Sequence, residues 1–419
     1  MYDTLSLGTC FDTLQDTDID NQERTWIRKV LDAKIDLARF AAQRRGKGRA
    51  IEVVGYLKGA FIWASESEEK VVNEVRAIEF IRQNTMIPFP FVHAWGLTHE
   101  RTDLEPASLL DKFYRQVAGY MLQLSRLKFK RIGAISKQPG VFAEEKDAWS
   151  SSSRPLTYNM NGLVTPAGYL TDSFPTTSFA RGSDFFKNVA HEHLVNLRTQ
   201  RNIAFAPDIA RARYIARHRY LQLRGSYCSA EDDTGPFVPF RDDFRPANMF
   251  VDPDTMQITA MFDWEFTNAM PAQFSYDQPW WLLLTDPGSW VDRNAVQEFR
   301  ELYEPRMEQF LRILEAVEAE EARDVRGDGD VGDRRPLSAR RRSSWVEGRL
   351  WFKLASGKSS DVDTIYWKVL HDGGDAIELL DPEVRAGIDA AVEEKMAQLR
   401  DYRKEYAVHF PDKQNNDNQ

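Results

Sequence analysis

The sequence predicts an α+β fold in two parts, a small first part ending near residue 96 and a larger, mainly helical second part. Three observations carry this. Short β-type runs, FVPF at 237–240, MFV at 249–251 and ITAMF at 258–262, stand apart from one another across turn residues. Stretches with apolar residues at three- and four-residue spacing flank them on both sides. Hydrophobic residues make up 42% of 419, with 11 Trp, 25 Phe and 14 Tyr, enough apolar surface to outweigh chain entropy over most of the length.

Residues 1–20 are polar and acidic and are expected to be a flexible start, with the first part spanning 21–96. Thr25 to Gln43 read as a helix carrying Trp26, Val30, Ile35, Leu37 and Phe40, ended by RRGKGR at 44–49. Ile51 to Val54 suits a strand, and Gly55 and Gly59 bracket a turn-prone YLK. After Ser67 the pattern is helical, with Val71, Val75 and Ile78 on one stripe and Glu68 and Glu69 in the first turn, where negative charge favours the helix dipole. Pro88 and Pro90 stop it.

The second part, 97–410, begins its regular structure with a helix from Phe113 to Leu127, whose stripe is Phe113, Val117, Met121 and Leu124. From 136 to 178 the chain is rich in Ser, Pro, Thr and Gly and reads as a long loop with short ordered pieces. Helices follow at about Asp184 to Arg201 and Asp208 to Leu223, then the three β runs, then a helix from Asn294 to about Glu321. The segment 323–344 is charged, Gly-rich and poor in large apolar residues, so an exposed or disordered insert is expected, its RRR run a solvated linker rather than a targeting patch. Helices over Trp345 to Leu370 and Pro382 to Tyr406 complete the chain before a frayed tail at 411–419.

The formal net charge of −9 argues against general binding to nucleic acid or to an anionic membrane. With only Cys10 and Cys228, a disulfide framework and a multi-cysteine zinc site are excluded, and a reducing compartment fits. No stretch reaches about 18 uninterrupted apolar residues, and the first residues lack an apolar run, so a soluble cytoplasmic protein is expected. The oligomeric state is left open by the sequence.

The chemistry gathers at FRDDFRPANMFV and MFDWEF. Asp243 and Asn248 stand in a D-x-x-x-x-N spacing between two short strands, and Asp263 ends a third. Phosphoryl transfer from ATP needs such a set, because one carboxylate takes the hydroxyl proton while an amide oxygen and a second carboxylate hold Mg²⁺ on the phosphates. Each acid alone is also an ordinary turn residue.

Here the sequence resembles the aminoglycoside phosphotransferase and choline kinase-like families, whose usual motifs read HGDxxxxN and IDxE, and most closely the branch common in filamentous fungi. NEVRAIEFIRQNTMIPFPFV is similar to the first-lobe helix and following strand, and PAQFSYDQPWW to the segment after the metal-binding acid. The resemblance spans about residues 20 to 400. It implies a bilobal protein kinase-like fold with the phosphotransferase loop at 240–265. The activity implied is ATP- and Mg²⁺-dependent phosphorylation of a small hydroxylated substrate. Asp243 would be the catalytic base, with Asn248 and Asp263 as metal ligands and Arg245 and Pro246 shaping the loop. Gly59 and Lys58 would approach the nucleotide, and Glu74 would be the helix acid.

The sequence departs from the family in two places. Arg241 and Asp242 stand where the family has His and Gly, and Asp243 is preferred to Asp242 as base because only Asp243 keeps the gap to Asn248. Between Gly59 and Glu68 lie only AFIWASES, with no Lys or Arg, too few residues for two strands of a phosphate-covering lobe. The stretch from Gly96 to Leu110 likewise lacks a β-rich run where a hinge is expected. The first lobe is therefore expected to be shortened and incomplete, Glu74 to lack its lysine partner, and Lys58 to be a poor substitute whose plainer reading is a solvated loop lysine. These departures motivate an alternative, a catalytically inactive pseudokinase serving as a binding or scaffold module.

Other candidates read as structural. His191 and His193 sit two apart on a predicted helix and face different sides, unlike the four-residue spacing of a zinc site. The WWLLL run at 280–284 suits a buried helix better than a pocket wall. Cys228 lacks a nearby His at catalytic spacing. Ser343 and Ser344 after RRR resemble a basic-directed phosphorylation site.

Overall fold

Regular structure begins with α1 (Ser67–Asn84) in a computed structural model that describes residues 67–89, 107–138, 148–167, 169–324 and 335–411, with Asp12, Leu14 and Arg28 as isolated positions. The stretch holding Lys58 and Gly59 and the one after Pro90 lie outside the described residues, as does the helix expected over 25–43 apart from Arg28. The apolar stripe expected on α1 is not the buried one. Val71 and Val75 are exposed, while Asn73, Ala77, Phe80 and Ile81 face the core, because the helix is rotated to lay Glu74 and Asn73 against the second part of the chain.

Next comes α2 (Ala107–Arg126), which buries Phe113, Val117 and Leu124 as its periodicity requires. The Ser-rich stretch expected to be mostly loop instead holds three elements: β1 (Gly133–Gln138), β2 (Ala148–Ser153) and α3 (Tyr158–Ala167). Cross-strand pairing outweighs the weak β propensity of serine here. Ser136 and Ser150 bond through their hydroxyls, and β1 gains a second partner on its other edge. Gly133 is required by close approach, since a Cβ there would lie 2.1 Å from the Ser153 carbonyl oxygen.

Helices α4 (Gly182–Thr199) and α5 (Pro207–Tyr227) pack against each other. They are followed by four short strands, β3 (Val238–Phe240), β4 (Met249–Val251), β5 (Ile258–Met261) and β6 (Asn268–Met270). One antiparallel sheet has the order β2-β1-β6-β3, and β4 pairs with β5 in a separate ribbon. The fold is thus α+β with a small antiparallel sheet set among helices.

The remaining chain is helical: α6 (Pro287–Asp292), α7 (Val296–Asp324), α8 (Leu337–Val346), α9 (Arg349–Gly357), α10 (Val362–Ile365), α11 (Pro382–Ala386) and α12 (Ile388–His409). The exposed or disordered insert expected over 323–344 does not hold at its two ends, since α7 runs through Asp324 and α8 buries Leu337, Ser338, Arg341 and Ser344; residues 325–334 lie outside the described residues. This segment packs because Ser338 bonds Glu318 and Ser344 bonds Asp277, so its two buried serine hydroxyls find partners inside. Ser344 is correspondingly no surface phosphorylation site. Gly348, at φ 69, lets the chain turn between α8 and α9. Among the described residues, no helix is long and apolar enough to cross a membrane.

Candidate active site

Strand pairing brings the motif residues together. Because β3 pairs with β6 while β4 pairs with β5, the loop from β3 to β4 and the loop from β5 to β6 bridge the same two sheets and run side by side. The first loop carries Asp243 and Asn248, the second Asp263. Two bonds stitch them: Phe262 N–H donates to the Asn248 carbonyl at 3.1 Å, and Arg241 Nη2 donates to the Phe262 carbonyl at 2.8 Å.

Within the first loop, Pro246 opens a single 3₁₀ turn that ends on Asn248, pointing this buried amide back at the loop. Asn248 Nδ2 donates to both the backbone carbonyl and the Oδ2 of Asp243, at 2.9 and 2.8 Å. Arg245 Nε pairs with the same carboxylate at 2.9 Å. With its nitrogen used to fix Asp243, Asn248 keeps its amide oxygen available as an acceptor. Asp263 has φ 62, a left-handed backbone that few residues other than Gly adopt and that Asp tolerates. Phe266, at φ 58, repeats the strain three residues on. Burial pushes the Asp263 carboxyl above the usual carboxylate range; Arg241 opposes this and Asp243 adds to it.

The Arg241 side chain lies where Asp243, Asp263 and Glu74 converge. It is 3% exposed, its guanidinium stacks 5.0 Å above the Trp264 ring, and burial pulls it down to about 10 while Asp263, Asp243 and Glu74 hold its charge. Glu74 is likewise not left without partners. Its Oε1 accepts from Trp264 N–H at 3.0 Å, and Lys70, one turn away on α1, pairs with Glu265 at 2.6 Å. Burial pushes the Glu74 carboxyl up, against the Trp264 bond and the charges of Lys70 and Arg241. The helix acid expected to lack its lysine partner docks on the DWEF segment.

A cavity of about 330 Å³ opens beside the loop, with Asp242, Asp243, Trp280, Lys353 and Lys358 among its lining residues. The expected buried helix at 280–284 is a 3₁₀ turn, Trp280–Leu283, in which Trp281 is buried but Trp280 is partly exposed and faces the cavity. Both indoles hold the motif loop by its backbone, Trp280 through the Asp242 carbonyl and Trp281 through the Phe244 carbonyl. Burial pushes Asp242 up to about 6, with Lys353 opposing and Asp243 reinforcing. Lys353 and Lys358 stand far along the chain from the motif, in KLASGK, and no local pattern marks them. The best available clue is indirect: Asp277, which Lys353 pairs with at 3.4 Å, lies in the PAQFSYDQPWW segment already singled out.

The set can take a proton at Asp243 and offer oxygen ligands from Asn248 and Asp263 to a hard cation. Among the described residues no three His, Cys, Asp or Glu side chains gather to hold a metal alone. Mg²⁺ held by one or two carboxylates and by substrate phosphates requires no such cage.

The other sequence candidates resolve as structure. Glu192 and His193 are buried and His191 exposed; His193 Nδ1 bonds Ser359 Oγ at 2.6 Å inside the core. The Cys228 thiol is pushed up to about 11 by burial and the nearby Asp233, which keeps it protonated and unreactive. No family model, no curated protein and no solved structure matches the chain.

Proposed function

We propose that the chain is a kinase-like phosphotransferase that moves a phosphoryl group from ATP to the hydroxyl of a small molecule, with the loop at 240–265 as its catalytic centre. One observation carries the reading. Asp243, fixed by Asn248 Nδ2 and Arg245, shares a site with the Asp263 carboxylate on the adjoining loop, and the cavity opens beside Asp243. In this reading α1 is the first-lobe helix, reaching the centre through Glu74.

Asn248 Oδ1 and Asp263 are the residues that would hold Mg²⁺, and their hard oxygen chemistry suits it. When bound, the ion would neutralise charge on the phosphates. The protein's own part is positional. A substrate hydroxyl in the cavity gives its proton to Asp243 as its oxygen bonds to the γ-phosphorus, and the bond from that phosphorus to the departing ADP breaks. Arg241 and Arg245 supply fixed positive charge beside the transferred group. The expected result is that the intact protein shows a Mg²⁺-dependent thermal shift with ATP and consumes nucleotide with a hydroxylated substrate. Asp243→Asn should lower turnover by about a hundredfold or more, with nucleotide binding retained. Absence of any ATP-dependent shift counts against the proposal.

Arg241 favours a second reading, an inactive pseudokinase acting as a binding module. A buried guanidinium among Asp243, Asp263 and Glu74 already balances part of the charge that a metal would balance. That reading predicts no transfer to any substrate and unchanged cellular function in Asp243→Asn.

A further inference from the structure

The cavity lining includes two buried polar side chains with unused hydrogen-bonding atoms, one of them, Arg341, also lying over the Phe310 ring at 5.8 Å. Arg341 on α8 is 3% exposed, and its Nε and Nη1 donate to nothing; Nη2 reaches only the Met121 sulfur, at 3.3 Å, a weak acceptor. Gln278 is also 3% exposed, and neither its Nε2 nor its Oε1 has a partner. Both line the cavity, and both neighbour Asp277. That carboxylate accepts from Ser344 Oγ, faces Lys353 at 3.4 Å and offsets part of the Arg341 charge, as Glu318 also does, but it makes no hydrogen bond to either side chain.

A guanidinium stays charged in proteins, and burying it with unused N–H groups is unfavourable unless an acceptor arrives. Arg341 presents a planar fork of donors, the geometry that carboxylates and phosphates match. Gln278 adds an amide N–H. Met121, Leu124, Phe274 and Trp281 give the same cavity apolar surface, which strengthens a charged hydrogen bond by excluding water.

We propose that Arg341 and Gln278 form an oxyanion receptor in the cavity wall, so that the molecule it takes is a small hydroxy acid, its carboxylate on Arg341 and its hydroxyl toward Asp243. The lining carries as many acidic side chains as basic ones, five Asp against two Lys and three Arg, which favours a monoanion over a phosphate dianion. The assignment of a hydroxy acid as substrate rests on the transferase reading. The receptor itself does not.

The test therefore has two separate arms on the full chain. In the first, calorimetric titration without nucleotide compares glycerate and 4-hydroxybutyrate with their uncharged amides and with glycerol 3-phosphate. The hydroxy acids should bind at least about tenfold more tightly than the amides, and Arg341→Met and Gln278→Leu should each remove most of that preference. Equal binding of acids and amides by the wild-type protein, which needs no variant to interpret, overturns the receptor. So does undiminished preference in a folded Arg341→Met. Tighter binding of glycerol 3-phosphate overturns the monoanion. In the second arm, phosphate transfer from labelled ATP to a bound hydroxy acid supports the substrate assignment. Selective binding with no transfer overturns that assignment while supporting the receptor.

Discussion

Asp263 combines two properties that rarely meet in one residue, a left-handed backbone and a partly buried carboxylate that burial and the like charge of Asp243 press upon. Both point to a position held for what its oxygens do, since strain and desolvation are unfavourable to the fold. The prediction at this scale separates charge from conformation. Asp263→Asn keeps a side chain that tolerates the left-handed region and removes only the charge. Mg²⁺-dependent nucleotide affinity should fall by about tenfold or more, while the melting temperature of the protein without metal stays the same or rises, because a disfavoured buried charge has gone. A fall in that melting temperature with unchanged nucleotide affinity would mean that Asp263 is structural. Trp280 and Trp281 act differently, touching the centre only through the carbonyls of Asp242 and Phe244. They are positioning residues, and they mark the backbone of the loop as held from the cavity side.

At the scale of elements, helices that bring no group to the loop at 240–265 nevertheless fix the cavity wall. Arg217 on α5 donates to both oxygens of Asp363 on α10, to the Asn196 side chain on α4 and to the Ser359 carbonyl. Arg213 bonds the same carboxylate, which both arginines pull below the usual range against the effect of burial. All three charged side chains are almost fully buried. Removing the shared partner leaves two buried cations uncompensated, so Asp363→Ala should cost about 3–5 kcal/mol in denaturant-induced unfolding. A loss below about 1 kcal/mol would show that the network does not carry the packing of α5 on α10. Since Ser359 adjoins Lys358, and Lys358 lines the cavity, the same variant should also loosen that wall.

For the molecule as a whole, two adjacent residues of α4 set opposing responses to pH. Glu192, bonded by Asn159 and Asn188, is pushed up to about 7 by burial, and His193 is pulled down to about 3, first by burial and then by Arg217. For Glu192 the folded state binds the proton more tightly than the unfolded chain. Its contribution is complete below about pH 4.5 and is lost as pH rises through about 7. For His193 the unfolded chain binds the proton more tightly, so stability is lost as pH falls from about 6.5 toward 3. The two responses offset each other between these limits and leave a decline on either side. Glu192→Gln removes the first of them. Compared with the wild type, it should gain on the order of 2 kcal/mol at about pH 8 relative to about pH 5 in urea titrations. A pH profile identical to that of the wild type would exclude Glu192 as the titrating group.

The α+β class, the principal helices and the loop with Asp243, Asn248 and Asp263 were legible in the sequence. Helical periodicity, turn residues and the motif's spacing are local properties, written within a few residues of where they act. What the sequence did not disclose depends on partners far along the chain. Serine-rich β1 and β2 form because each finds an edge to pair with, and charged α8 is buried because Glu318 and Asp277 accept its hydroxyls. Val71 and Val75 are exposed because Glu74 and Asn73 dock α1 the other way round. Lys353, Lys358, Gln278 and Arg341 meet at one cavity only after strands and helices from across the second part have packed. The sequence by itself thus determined which polar residues stand together in the loop at 240–265, since such a loop is compact in sequence. Tertiary structure alone decided what surrounds that loop, because burial and long-range hydrogen bonding belong to the assembled molecule and to no segment of it.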